Sequence, residues 1–158
     1  MRPDLEIIQQ WVKPGHHVLD LGCGDGTLLD FLQRERQATG FGLEINPDHI
    51  TTCMSRGVAV IEQNLDTQGL DNFDDGMFDI VLMTQALQAV RRPDKVLDEM
   101  LRLGREGIVT FPNFAHWRLR WGLALSGRMP ESEALPYKWY NTPNIRLCTF
   151  KDFEALCR

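Results

Sequence analysis

The sequence has 158 residues, 43% of them hydrophobic and 25% charged, the proportions of a globular chain long enough to bury a core, which excludes disorder and fibres. A net charge of −5 and a pI near 5.3 argue against nucleic acid as a partner, because phosphate backbones are bound chiefly through basic charge. Cys23, Cys53, Cys148 and Cys157 follow no paired spacing, which argues against a disulfide framework or a zinc site and for no metal at all. With no apolar run of membrane-spanning length and no signal-like start, the expectation is a soluble cytoplasmic protein with no membrane partner.

Residues 4–12 place Leu5, Ile7, Ile8, Trp11 and Val12 at helical spacing, and Pro14-Gly15 stops that helix. His17-Val18-Leu19-Asp20-Leu21 is a short apolar run ending at glycines, the pattern of a buried strand. Residues 27–35 repeat Leu28, Leu29, Phe31 and Leu32 as a helix does. A second strand is expected at 39–45, a helix from Pro47 to about Arg56, and a third strand at 58–62. The acidic, turn-rich stretch 66–76 leads to a fourth strand at 78–83, apolar throughout except for Asp79. Pro93 opens a helix with Val96, Leu97, Met100, Leu101 and Leu103 on its face, Gly104 is expected to cap it, and residues 107–111 read as a fifth strand.

Apolar strands alternating with helices predict an α/β fold: a doubly wound, Rossmann-like parallel sheet in one domain over residues 1–158. Right-handed crossovers put the ligand crevice at the carboxyl ends of the strands, where the glycine loop, Glu44 and the segments after Ile61 and Met83 meet.

The loop after the first strand reads Asp20-Leu21-Gly22-Cys23-Gly24-Asp25-Gly26. A dinucleotide fingerprint G-x-G-x-x-G would need glycine at Thr27 or Leu29, and neither is glycine. Asp20 and Asp25 would repel a pyrophosphate but suit a ligand carrying a sulfonium and an ammonium, as S-adenosylmethionine does. A nicotinamide-dependent oxidoreductase is disfavoured on both counts. The stretch from Val18 through Gly26 resembles motif I of class I S-adenosylmethionine-dependent methyltransferases. That resemblance implies that Asp20 and the loop around Gly22, Cys23, Gly24, Asp25 and Gly26 hold the methionine part of S-adenosylmethionine or S-adenosylhomocysteine. It implies further that Glu44, followed by Ile45, takes the ribose hydroxyls. Asn64-Leu65 then stand at the adenine, and Thr84-Gln85 lie where the reacting methyl group points. Asp66 either shares the adenine role or caps a turn at Thr67. His49 reads as solvated, and adjacent His16 and His17 face opposite ways on a strand, so they cannot share a metal.

Composition changes after Pro112-Asn113. Residues 113–150 hold Phe114, His116, Trp117, Trp121, Tyr137, Trp139, Tyr140 and Phe150 among three prolines, and read as a cap or insert over the strand ends, or as packing on the sheet edge. The arginines at 91, 92, 102, 105, 118, 120 and 128 read as a solvated face or a protein contact. The motifs Phe111-Pro112-Asn113-Phe114-Ala115-His116-Trp117, Gly127-Arg128-Met129-Pro130 and Leu135-Pro136-Tyr137-Lys138-Trp139-Tyr140-Asn141-Thr142-Pro143-Asn144-Ile145 are similar to the methionine biosynthesis MetW family, and the similarity runs over essentially the whole chain. This implies a protein that works with homoserine O-acyltransferase. Two functions stay open at this level. One is a cofactor-binding accessory protein that senses the product of the pathway. The other is an active methyltransferase on a small acceptor, with His116, Tyr137 or Tyr140 removing a proton or serving only as packing. A nucleic-acid methyltransferase is disfavoured, since Thr84-Gln85-Ala86-Leu87 stands in place of an Asn/Asp-Pro-Pro-Tyr loop. Chains of this family and fold normally add two strands after the helix at 152–157. Here the last two strands are expected to be lacking, with the fifth covered by the aromatic insert or by another chain.

Overall fold

The apolar runs pair side by side because each carries backbone donors and acceptors that only a neighbouring strand satisfies once water is excluded. In the computed structural model, which describes residues 3–132 and 135–158, they form one sheet of five parallel strands in the order β3-β2-β1-β4-β5. In chain order the elements are α1 (Pro3–Trp11), β1 (His17–Leu21), α2 (Thr27–Arg36), β2 (Thr39–Glu44), α3 (Pro47–Ser55), β3 (Val60–Glu62), β4 (Phe78–Thr84), α4 (Pro93–Leu103), β5 (Gly104–Thr110), α5 (Trp117–Ser126) and α6 (Phe150–Leu156). A single 3₁₀ turn, Leu87–Ala89, follows β4.

The two-residue period of the strands sorts their side chains into two cores. Val18, Ile80, Leu82 and Ile108 pack on one face against Leu5 and Ile8 of α1, Leu28 and Leu32 of α2, and Cys53 of α3. Their neighbours Leu19, Leu21, Val81 and Met83 pack on the other face against Val96, Met100 and Leu103 of α4. The chain winds from β1 outward to β2 and β3, then returns past β1 to β4 and β5. That reversal makes the carboxyl ends of β1 and β4 the switch point of the sheet, where doubly wound folds bind their ligands.

Three differences from the sequence expectation have local causes. The third strand is shorter, Val60–Glu62, because Val58 accompanies the close of the preceding helix: its N–H donates to the Cys53 carbonyl at 3.0 Å. Gly104 caps α4 as expected, its N–H donating to the Met100 carbonyl, but not in a left-handed conformation. It is extended (φ −118°, ψ 152°) and is the first residue of β5, so that strand runs Gly104–Thr110. A Cβ there would lie 2.7 Å from Val81 Cγ2, so glycine is required by the close approach of two strands. Gly104→Ala is accordingly expected to destabilise the fold by about 1–3 kcal/mol, as overpacking does, read as a lower urea midpoint with the slope unchanged. Third, the recess along β5 is lined by Trp11 of α1 and Phe153 of α6, while of the aromatic residues of 113–150 it is Phe150, at the start of α6, that packs against Phe111 just beyond the strand.

Helix α5 lies inside the aromatic segment, of which residues 133 and 134 lie outside the described residues. Its apolar residues Trp117, Leu119, Trp121, Leu123 and Leu125 fall at every second position, the period of a strand, which is why no helical pattern is legible there. Among the described residues no helix is long and apolar enough to cross a membrane.

Candidate cofactor site

β1 ends in Asp20 and Leu21, and the chain then turns through Gly22, Gly24 and Gly26, which have φ of +75°, +58° and +75°. Only glycine adopts three such conformations in five residues without steric cost. The loop is drawn across the end of β2: the Gly22 and Cys23 N–H groups donate to the Leu43 carbonyl at 2.9 and 3.0 Å. The Gly26 N–H donates to the Cys23 carbonyl at 3.1 Å, and the Gly24 N–H donates to Glu44 Oε2 at 2.8 Å. These four N–H groups are thus committed inside the protein. The glycines give the loop its shape and leave open space beside it; a Cβ on Gly24 would meet no atom within 4 Å.

Glu44 is the hinge of the arrangement. It is 8% exposed at the end of β2, and besides Gly24 its carboxylate accepts from the Ile45 N–H (2.7 Å) and the Asn46 N–H (2.9 Å) through Oε1. Asn46 in turn caps α3, its side chain accepting from the Asp48 N–H at 2.9 Å, so Glu44 is fixed by two consecutive turns. His49 is half-exposed and brings Nδ1 to 3.7 Å from Glu44 Oε2. A carboxylate offers about four lone-pair directions, so three bonds leave Glu44 capacity for a ligand donor. Ile45 is exposed beside it, and Asp20 is buried at the end of β1 with 1% exposure.

Asp25 faces outward. Burial pushes its carboxyl up, but the Thr27 N–H and hydroxyl and the Arg56 guanidinium outweigh it, holding its pKa below the ordinary carboxylate value. Arg56, at the end of α3, reaches Asp25 Oδ2 at 3.1 Å and ties that helix to the glycine loop. The Asp25 pair is largely solvated and contributes little to stability.

Cys23 sits within the loop with its sulfur 4.0 Å from that of Cys53 on α3. Burial pushes the Cys23 thiol far up, the Asp20 charge adds to this, and burial also raises Cys53. Both thiols therefore stay protonated and inert in the folded chain. A disulfide-type thiol reagent near neutral pH is expected to modify Cys157, which is exposed, and to leave Cys23 and Cys53 unmodified until denaturant is added. The same shift has a pH consequence. A raised folded pKa gives stability that is fully present below the ordinary thiol pKa and lost as pH rises, because the unfolded chain releases these protons first. The urea midpoint is expected to fall above about pH 9, and to fall less in Cys23→Ala. Equal slopes in the two proteins would remove this account.

The other expected site residues lie on neighbouring strand ends. Asn64 follows β3, accepts from the Asp66 N–H at 2.9 Å and shapes a tight turn, while Leu65 packs against the α4-side core. Asp66 does not cap the turn at Thr67, whose N–H donates to the Asn64 carbonyl at 3.3 Å; instead its Oδ1 accepts from the Arg91 N–H at 2.8 Å, joining the loops after β3 and β4. Thr84 ends β4 beside Thr110 of β5, and the Gln85 N–H donates to the Thr110 carbonyl at 2.9 Å. Gln85 has φ +57°, a strained value for a residue other than glycine. The turn after it is pinned by Gln88 Nε2 donating to the Gln85 carbonyl at 2.7 Å and by the Arg146 N–H donating to the Gln88 carbonyl at 2.9 Å.

The glycine loop, Glu44 and Ile45 are therefore joined directly, with Asn64, Thr84 and Gln85 on the adjacent strand ends. His116, Tyr137 and Tyr140 are exposed, and among the described residues no hydrogen bond joins them to that group. His116 lies against Trp117, and Tyr137 lines an apolar recess with Phe114, Met129 and Trp139. Tyr140 packs edge-on to Trp139. Sequence reasoning missed Asn46, although an asparagine directly before Pro47 is a local cap signal, and missed Arg56 and Thr110, whose contacts cross thirty-one and twenty-five positions and leave no local pattern.

The fold and the loop agree with what this chain is similar to. A bifunctional methionine biosynthesis protein MetXA/MetW from Rhodopirellula baltica is 37% identical over 97% of this chain, which spans 26% of that relative's length. A SAM-dependent methyltransferase from Thermotoga maritima has the same fold, with a TM-score of 0.68, 20% identity and coverage of 97% of this chain and 66% of that one. The [4+2]-cyclase SpnF shares it too, with a TM-score of 0.70, 19% identity and coverage of 96% and 54%. A fold that serves a cyclase as well as methyltransferases does not by itself specify methyl transfer. The profile of the methionine biosynthesis protein MetW matches residues 2–158, so the chain belongs to the MetW family and carries the class I methyltransferase fold.

Proposed function

We propose that this chain binds S-adenosylmethionine at the glycine loop and serves methionine biosynthesis alongside homoserine O-acyltransferase. The observation that carries this reading is Glu44, a buried carboxylate whose three backbone donors include the glycine-loop N–H of Gly24. Two oxygens held at that strand end match a vicinal diol, and the open space beside Gly24 fits a ligand lying along the loop. Asp20, buried at the end of β1 where the glycine loop begins, places a carboxylate beside a cationic ligand lying on that loop. When bound, S-adenosylmethionine supplies a methyl group on a sulfonium; the residues of this chain hold and orient it. The MetXA/MetW relative supports the partner, because there the two parts belong to one protein. Since S-adenosylmethionine is made from methionine, its binding would report the pathway's product to the acyltransferase. Such coupling requires unequal affinity for the two partner states.

A second reading, methyl transfer to a small acceptor, is favoured by one feature. Gln85 holds a strained conformation at the end of β4, where an acceptor would approach, and strain of this kind gathers at functional sites. Direct displacement needs alignment more than acid–base help, which this arrangement can supply. Calorimetry with S-adenosylmethionine, with and without homoserine O-acyltransferase, tests both readings. Binding that strengthens or weakens with the partner supports the first. Cofactor binding with no coupling, together with transfer of label from the cofactor to a small molecule in a cell extract, would replace it with the second.

A further inference from the structure

Helix α5 presents two apolar rows on opposite sides. At about 100° per residue, Leu119 and Leu123 form one row, and Trp117, Trp121 and Leu125, spaced i, i+4, i+8, form the other. Leu119 alone in the helix is partly buried and Leu123 is 43% exposed, so the helix turns toward the body of the protein at Leu119. The second row is open: Trp117, Trp121 and Leu125 are 60%, 61% and 80% exposed. An apolar row of this kind on a soluble helix marks a contact surface, and tryptophan is the residue most enriched at binding hot spots.

The charge around the row says what kind of partner fits. The whole chain carries −5, yet residues 113–130 contain Arg118, Arg120 and Arg128 and no acidic residue. Among the described residues none of these three arginines forms an ion pair; Arg118 instead lies over the Trp117 ring, 5.4 Å from its centroid. A second copy of α5 would set like charges against each other. A membrane surface favours a helix with one polar and one apolar face, and here the apolar rows stand on opposite faces. The fitting partner is a protein groove that is apolar at its floor and acidic at its rim, the helix-in-groove mode with anchors one turn apart.

We infer that the Trp117–Trp121–Leu125 row of α5, flanked by Arg118 and Arg120, is the surface on which homoserine O-acyltransferase docks. This rests on the proposed partnership, and the MetXA/MetW relative supports the occupant: there a region similar to 97% of this chain is part of a bifunctional protein. Helix α5 begins seven residues after Thr110 ends β5, so one short connection joins it to the carboxyl end of that strand.

The test is sedimentation of the 158-residue chain with the homoserine O-acyltransferase of the same organism. Wild type is compared with Trp117→Ala/Trp121→Ala and with Arg118→Glu/Arg120→Glu. Both double variants are expected to weaken the complex at least about tenfold. Their affinity for S-adenosylmethionine should stay within about twofold of wild type, since exposed substitutions away from a site are nearly neutral. If wild type and both variants bind equally, the docking surface is wrong and the partnership stands. If wild type does not bind with or without S-adenosylmethionine, both fall. A wild-type chain that self-associates through these tryptophans, or that binds vesicles of phosphatidylcholine and phosphatidylglycerol through them in place of the acyltransferase, overturns the assignment.

Discussion

Replacing Glu44 by alanine is expected to abolish measurable S-adenosylmethionine binding and to destabilise the chain by about 3 kcal/mol. The second part follows from backbone bookkeeping: the N–H groups of Gly24, Ile45 and Asn46 lose their acceptor together. Each buried donor left without a partner costs about 1–3 kcal/mol, less where water reaches it. The first part has two sources, loss of the proposed diol acceptor and release of the glycine loop from β2. Glu44→Gln separates them. The amide oxygen can keep the Ile45 and Asn46 bonds, while its N–H₂ group then meets the Gly24 N–H, donor against donor. This variant is expected to lose about 1–2 kcal/mol in urea unfolding and to bind the cofactor at least about tenfold more weakly. Lower stability with unchanged affinity would leave Glu44 as a structural staple and remove its ligand role.

The second large effect is expected at Gly42, the residue of β2 beside Asp20 of β1. A Cβ there would overlap the Cys23 side chain and come within 3.1 Å of Leu29 Cδ1, so alanine must push the glycine loop away from β2. Gly42→Ala is expected to cost about 2–3 kcal/mol, at the upper end for overpacking in a well-filled interior, and to weaken cofactor binding. Because the overlap is with Cys23 and Leu29 need give way only slightly, Cys23→Gly in the Gly42→Ala background should restore much of both. The two substitutions should show a coupling of about 1–2 kcal/mol in a double-mutant cycle. Strict additivity would mean that the loop is positioned by something other than this contact.

Much of the fold was legible along the chain because its signals are local. The strands at Val18, Ile80 and Leu82 announce themselves as apolar runs, since a strand buried on both faces has no polar side to show. The glycine loop was legible because positive φ at three alternate positions restricts residue type. Helix α5 was not legible: its alternating pattern reads as a strand, and two opposed apolar rows erase helical periodicity. Gly104 closes α4 as expected, but its second role was not legible, because a glycine at a helix end looks the same whether or not it also admits Val81.

The amino-acid order by itself determined the sequence of strands and helices, the place of the crevice at the strand ends and the acidic glycine loop. Each of these follows from periodicity, turn chemistry or charge within a few residues. Tertiary structure decided the rest: that the loop N–H groups are already committed to Leu43, Cys23 and Glu44, that Arg56 and Cys53 pack the loop against α3, and that Trp117 and Trp121 face outward. These depend on which atoms meet across gaps of about twenty to thirty residues and on which face of a helix the body of the protein covers. Only the packed sheet settles such meetings, because the free energy of burying a group or satisfying a donor belongs to the neighbours that surround it.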